Sequence, residues 1–198
     1  KYEVDKLQDD FSKNTDWTRY LAGEIKNEFK LPLTNEYFIP FLEKAVMSFE
    51  ETSQYLTKKV PDLLTRKFNF SDNWINFQKK GEYNPLHSHS GVYSYVIWYQ
   101  IPYYLKDEQR LSSKPKEKIT DNGNFDFHFI GESDTDNAHV RIKSPLEKYV
   151  DKNFEGYLLI FPSSLVHSVH PFYSTDEFRI SISGNVSVEL GPGLSKHL

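Results

Sequence analysis

The sequence predicts an α+β chain in which helices come first and an antiparallel sandwich or barrel of short strands follows. Three observations predict it. Apolar residues recur at the helical period over residues 1–60. After residue 62 the pattern changes to short alternating runs rich in aromatic and β-branched residues. Aromatics reach 16% of 198 residues, which favours a β-rich body with large packed rings. Helices followed by many strands make one domain, with residues 1–61 as a helical part and 62–190 as the β core.

Taken in order, "NTDWTRYLAGEIKNEFK" (14–30) offers Asn14 or Thr15 as an N-cap, with Trp17, Leu21, Ile25 and Phe29 on one stripe. Pro32 stops that helix, Thr34 can cap a second, and Phe38, Phe41, Leu42, Ala45, Val46 and Phe49 follow the 3.6 period until Pro61. "RKFNF" and "NWINFQ" read as two strands around an "SDN" turn. Further strands are expected at 92–102, 125–130, 138–143, 157–161, 165–170 and 177–190. The charged interval 105–124 reads as an exposed loop, and "GESDTDNAH" (131–139) as a second polar turn; both are lid candidates.

Composition narrows the function. With 24 Lys+Arg against 28 Asp+Glu the net charge is -4, and no basic run supports binding to nucleic acid phosphates. There is no cysteine, so a metal site must use His, Asp or Glu, and a cytoplasmic location is expected. No apolar run reaches the roughly 20 residues of a membrane helix. The chain starts at Lys1 rather than Met, so the expectation is that a native N-terminus precedes it.

The histidines carry the chemistry. If 86–90 is extended, His87 and His89 face one side and form half of a metal site. A third ligand is then expected from another strand. Gly156 and Pro162 bracket an apolar strand, and the Pro-Ser-Ser turn would swing His167 back over the interior. His170 competes for that place, but three residues apart on a strand the two face opposite ways. His128, in "FDFHF" with Asp126 on its own face, faces solvent or completes a site; His139 and His197 receive no role. Imidazoles suit Fe, Cu, Ni or Zn, so ligand type does not choose the metal.

Two resemblances follow from these residues. "GEYNPLHSH" and "GYLLIFPSSLVH" resemble the two cupin signatures, but the glutamate expected after His89 is absent. More closely, the chain resembles a family of 2-oxoglutarate/Fe(II) oxygenases of phages and bacteria. The likeness runs over Trp74 and Asn76, His87 and His89, Ser94 to Pro102, "FPSSLVH" with His167, and "RISISGN" with Arg179, Ser181 and Asn185. It implies a cupin-like double-stranded β-helix, or jelly roll, with the N-terminal helices packed outside. It also implies Fe(II) held by His87 and His167, and 2-oxoglutarate as cosubstrate, its distal carboxylate clamped by Arg179 and Ser181. Asn76 and Asn185 would line the pocket. Most such oxygenases carry Asp or Glu where this chain has His89. Either His89 ligates, or Asp126 or Glu82 completes the shell, or fewer protein ligands suffice; the shared face of His87 and His89 favours the first, a set of His87, His89 and His167. Arg179 also reads as an arginine on a solvated strand face, with Ile180 and Ile182 buried behind it. The substrate stays open among a peptide side chain, a small metabolite and a nucleobase. Two rival functions remain: a cupin-type metalloenzyme without 2-oxoglutarate, and a metal-free jelly-roll binding or virion protein.

Overall fold

A computed structural model describes residues 2–9, 11–31, 37–59, 67–111, 121–128 and 150–189. It is an α+β structure with two antiparallel sheets. The elements are α1 (Tyr2–Asp9), β1 (Glu28–Lys30), α2 (Phe38–Ser53), α3 (Tyr55–Lys59), β2 (Lys67–Gln78), β3 (Asn84–His87), β4 (Tyr93–Gln100), α4 (Leu105–Arg110), β5 (Phe125–His128), β6 (Leu158–Pro162), β7 (Val166–Val169) and β8 (Arg179–Glu189). Five strands form one sheet in the order β1-β2-β8-β4-β6, and three form the other in the order β3-β7-β5.

The large sheet is covered on both faces. Ile75, Phe77 and Ile180 pack with Val4 of α1 and Phe29 of β1. Farther along that face, Phe68, Phe70, Tyr93, Tyr95 and Val186 pack with Leu42 and Val46 of α2. The register shift between Asn69 and Asp72 explains how both groups share one face. A bulge inserts one extra residue and inverts the alternation, so even-numbered Phe68 and Phe70 lie with odd-numbered Ile75 and Phe77. "SDN" is therefore a bulge inside one continuous strand, β2, and not the expected turn between two strands. On the other face, Val96, Trp98 and Phe161 meet Phe125 and Phe127 of the small sheet. Trp98 and Phe125 lie edge to face at 5.9 Å.

The helical part expected over 1–61 needs correction. Residues 14–30 are not a helix. Thr18–Tyr20 makes one 3-10 turn, and Glu28–Lys30 is an edge strand on β2. Trp17 N–H donates to Glu28 O and Lys30 N–H to Thr15 O, so the segment folds back on itself. Ladder bonds to β2 satisfy its backbone, and Gly23 would weaken a helix by about 1 kcal/mol, so tertiary pairing overrides the periodic stripe. The second helix is present as α2, with Tyr37 at its N-cap. Thr34, Pro32 and Pro61 lie outside the described residues, as do 112–120 and 129–149, which include the expected strand 138–143, the 131–139 turn and His139. Within the expected 105–124 loop, Leu105–Arg110 is helical. Its Glu108, fully buried, accepts from the N–H groups of Tyr173 and Ser174 and so pins the segment after β7. No described helix is long and apolar enough to cross a membrane.

Candidate metal centre

Antiparallel pairing of β3 with β7 sets His87 directly opposite His167. β7 reverses from β6 through the Pro-Ser-Ser turn, closed by Leu165 N–H to Pro162 O. His89 follows β3, and its backbone N–H donates to Ser163 O of that turn. Two residues from His87, its ring returns to the same side. The ring centroids lie 4.9 Å (87–89), 4.2 Å (87–167) and 5.0 Å (89–167) apart. One nitrogen from each ring falls within 4.8 Å of the others, so this donor set can hold a metal ion.

Two of the rings are locked by their own backbone. His87 Nδ1 lies 2.7 Å from Pro85 O, and His167 Nδ1 lies 2.9 Å from Leu165 O. A carbonyl can only accept, so each Nδ1 carries the proton and leaves Nε2 as the lone-pair nitrogen. Metal sites depend on this tautomer control. Burial keeps all three imidazoles neutral. It pushes His167 down to about 3, helped by the nearness of His87, with which it cannot share a second proton cheaply, and His89 down to about 4. His87 is lowered too, against an opposing contribution from Pro85 O. A neutral imidazole is the ligating form, so the cluster fits a divalent cation.

A cavity of about 160 Å³ extends from the histidines across the concave face of the large sheet. Asn76 and Gln78 of β2 and Arg179, Ser181 and Ser183 of β8 line it. The register pairs Asn76 with Ser181 and Gln78 with Arg179, so one row follows the next along the sheet. Arg179 therefore faces the cavity and is 3% exposed, not solvated; Ile180 and Ile182 are on the opposite face, against the N-terminal elements. Its N–H groups go to Gln78 Oε1 from both Nε (2.9 Å) and Nη2, to Tyr103 Oη (2.6 Å), to Gly123 O (3.0 Å) and to His170 O (3.3 Å). Every one of these acceptors is neutral. Gly123, at φ +77, is needed here, because a Cβ would come within 2.7 Å of the Tyr103 ring. Asn76 donates to Ser181 Oγ at 3.2 Å.

The cavity thus gathers His87, His89, His167, Arg179, Ser181 and Asn76, whereas Asn185 is not among its lining residues. Asn185 Oδ1 accepts from Ser94 Oγ, which also contacts Ser163 Oγ at 2.9 Å. His170 faces away from His167, and its Nε2 lies 2.8 Å from Asp126 Oδ2. His128 contacts Ser168 Oγ on that same outer face. Asp126 is therefore on the wrong side of the sheet to join the three imidazoles. Glu82 turns instead to the Lys79 N–H at 2.8 Å. The carboxylate that does line the cavity is Glu28 of β1. The sequence reading missed it because a false helix covered residues 14–30. The alternation of Glu28, Phe29 and Lys30 beside Leu31 was the available signal.

The sequence pattern of the family described as "Putative 2OG-Fe(II) oxygenase" matches residues 72–185, more than half of the chain. The chain belongs to this family. No curated protein matches it. The oxygenase match begins within β2 and ends within β8, so it takes in the three histidines and Arg179 but leaves out β1 with Glu28.

Proposed function

We propose that the protein is a non-haem Fe(II)- and 2-oxoglutarate-dependent oxygenase, a hydroxylase built as a single double-stranded β-helix domain. The observation that carries this is the convergence of three neutral imidazoles on one face of a cavity whose other wall holds a buried guanidinium. His87, His89 and His167 hold the iron, and the Pro85 and Leu165 carbonyls keep two of them in the ligating tautomer. Fe(II) with 2-oxoglutarate supplies oxygen activation, yielding succinate and carbon dioxide alongside the oxidised substrate.

Arg179 receives the distal carboxylate of the cosubstrate. A buried cation with only neutral partners gains most from an anion, and a guanidinium can give a carboxylate two parallel bonds. Gln78 Oε1, which takes two of its N–H groups, is the neutral acceptor that a carboxylate replaces. Ser181, two residues on, offers a hydroxyl on the same face, and Asn76 orients it. Trp98, Phe125 and Phe161 wall the cavity with apolar surface and limit water at the centre. A cytoplasmic location and a small-molecule cosubstrate belong to this reading.

Succinate formation from 2-oxoglutarate under Fe(II) and oxygen tests it. Wild type is expected to turn over, and His167→Ala is not. Titrating 2-oxoglutarate into anaerobic Fe(II)-loaded protein gives the deciding result, because absence of binding there would sink the proposal. A second reading, a three-histidine metalloenzyme without 2-oxoglutarate, draws on the complete use of the Arg179 N–H groups by the protein itself. It expects metal binding and no heat of 2-oxoglutarate binding in the same titration.

A further inference from the structure

Four buried oxygen atoms accept no hydrogen bond among the described residues: Glu28 Oε1 and Oε2, Asn76 Oδ1 and Asn84 Oδ1. All three side chains line the cavity that holds the histidines. Buried polar atoms are satisfied in the great majority of cases, and leaving one unpaired costs about 1–3 kcal/mol, more for a charged group. Four in one wall mark a surface built to receive something.

Their placement is not random. Glu28 is the direct cross-strand partner of Asn76, so the two side chains stand side by side on the concave face. Asn76 gives its Nδ2 to Ser181, which leaves Oδ1 as its free end. Gly23 lets the chain approach closely from the third side. A Cβ there would lie 1.7 Å from Asn84 Oδ1 and 3.5 Å from Glu28 Oε1, so these two oxygens flank one point. Around them stand Leu21, Ile25 and Trp74, which are apolar. The four unpaired atoms are all oxygens, and with Glu28 ionised all four are acceptors, beside apolar lining.

We propose that the cavity takes its substrate by a basic nitrogen group, an ammonium or guanidinium on an apolar stem, seated on Glu28 with Asn76 and Asn84 as further acceptors. Such a group is all donor, which matches four acceptors. Its methylene stem is apolar, which matches Leu21, Ile25 and Trp74, and its charge can lie against the Trp74 ring. Neutral amides or hydroxyls would bring their own acceptor against the Glu28 oxygens. Burial, with the Glu82 and Asp16 charges, pushes the empty Glu28 carboxyl up to about 8. An arriving cation reverses that preference and expels the proton. The substrate class rests on the oxygenase reading for its reaction, but not for its binding.

The test is binding to metal-free, full-length protein, so failure of the oxygenase assignment leaves it intact. The probes are N-acetyl-arginine amide, N-acetyl-lysine amide, N-acetyl-glutamine amide and N-acetyl-norleucine amide, with n-butylguanidine and n-butylamine beside them. Calorimetry at pH 7 in two buffers of different ionisation enthalpy gives both affinity and proton count. Basic probes are expected to bind at least roughly tenfold more tightly than the neutral ones, with release of close to one proton each. Glu28→Gln is expected to erase the preference. Tighter binding of the capped amino acids than of the butyl compounds assigns the group to a peptide side chain, and the reverse to a free small amine. Equal binding of glutamine or norleucine amide, no binding of any basic probe, or a preference that survives Glu28→Gln overturns the proposal. Absent proton release in wild type overturns it as well, and that measurement needs no variant.

Discussion

His87 and His167 each point Nδ1 at a carbonyl two residues back, and this local habit makes them ligands. Among the described residues no such bond orients His89, whose ring leans against Trp74 at 5.5 Å. All three have lowered proton affinity, to about 4 for His89 and about 3 for His167. Protons therefore compete with metal only in acid. Anaerobic Co(II) titration is expected to give an affinity that begins to weaken at lower pH than a site of exposed histidines, which weakens below about 6.5. His89→Ala is expected to lower affinity by more than the roughly 10–100-fold typical of losing an outer partner, and His89→Asp to keep it. The histidine pair was legible from the two-residue period alone. The dismissal of Asp126 and Glu82 was not, because each side chain goes to a partner that only the folded chain supplies.

Between elements, Glu50 is a buried polar tie. It sits in α2, is 6% exposed, and takes bonds from Leu56 N–H (3.0 Å), Thr57 N–H (2.7 Å), Thr57 Oγ1 (2.6 Å) and the Tyr93 hydroxyl. Burial works against its charge, but the bonds from Thr57, Tyr93 and the Leu56 and Thr57 backbone outweigh it and pull the carboxyl down to about 2. One side chain thus caps α3 and fastens α2 to β4. Glu50→Ala is expected to destabilise by about 2–4 kcal/mol in urea melts, and to leave Co(II) affinity unchanged. The α2 stripe was readable because Leu42 and Val46 face one sheet all along. The stripe at 14–30 misled, since Phe29 is buried by strand alternation and Ile25 as a cavity wall, two unrelated reasons that mimic a helical period.

Across the whole molecule, buried titrating groups set the pH range of stability. The three histidines bind fewer protons folded than unfolded, so their contribution is complete above about 6.5 and is lost as pH falls below it. Glu50 acts the same way lower down, from its ordinary 4.5 towards 2. Glu28 is opposite: with its proton held up to about 8, its contribution is full below 4.5 and is lost as pH rises through 8. Metal-free protein is expected to melt highest near pH 6.5 and lower at both pH 5 and pH 8.5, by calorimetry. Glu28→Gln is expected to remove the alkaline decline and leave the acid one.

From the sequence alone came a strand-rich body after residue 62, the His-x-His pair, the turn before His167, and the likeness to the oxygenase family that matches residues 72–185. Each of these depends on local spacing or on residues near in the chain, which sequence periodicity records directly. Only the tertiary structure decided that Arg179 is buried with neutral partners, that Asn185 stands outside the cavity, and that Glu28 stands inside it. Those facts depend on which strand each residue pairs with and on where along the sheet it falls, as Glu28 opposite Asn76 and Arg179 opposite Gln78 do. Pairing across the sheet, not spacing along the chain, selects the groups that share a cavity.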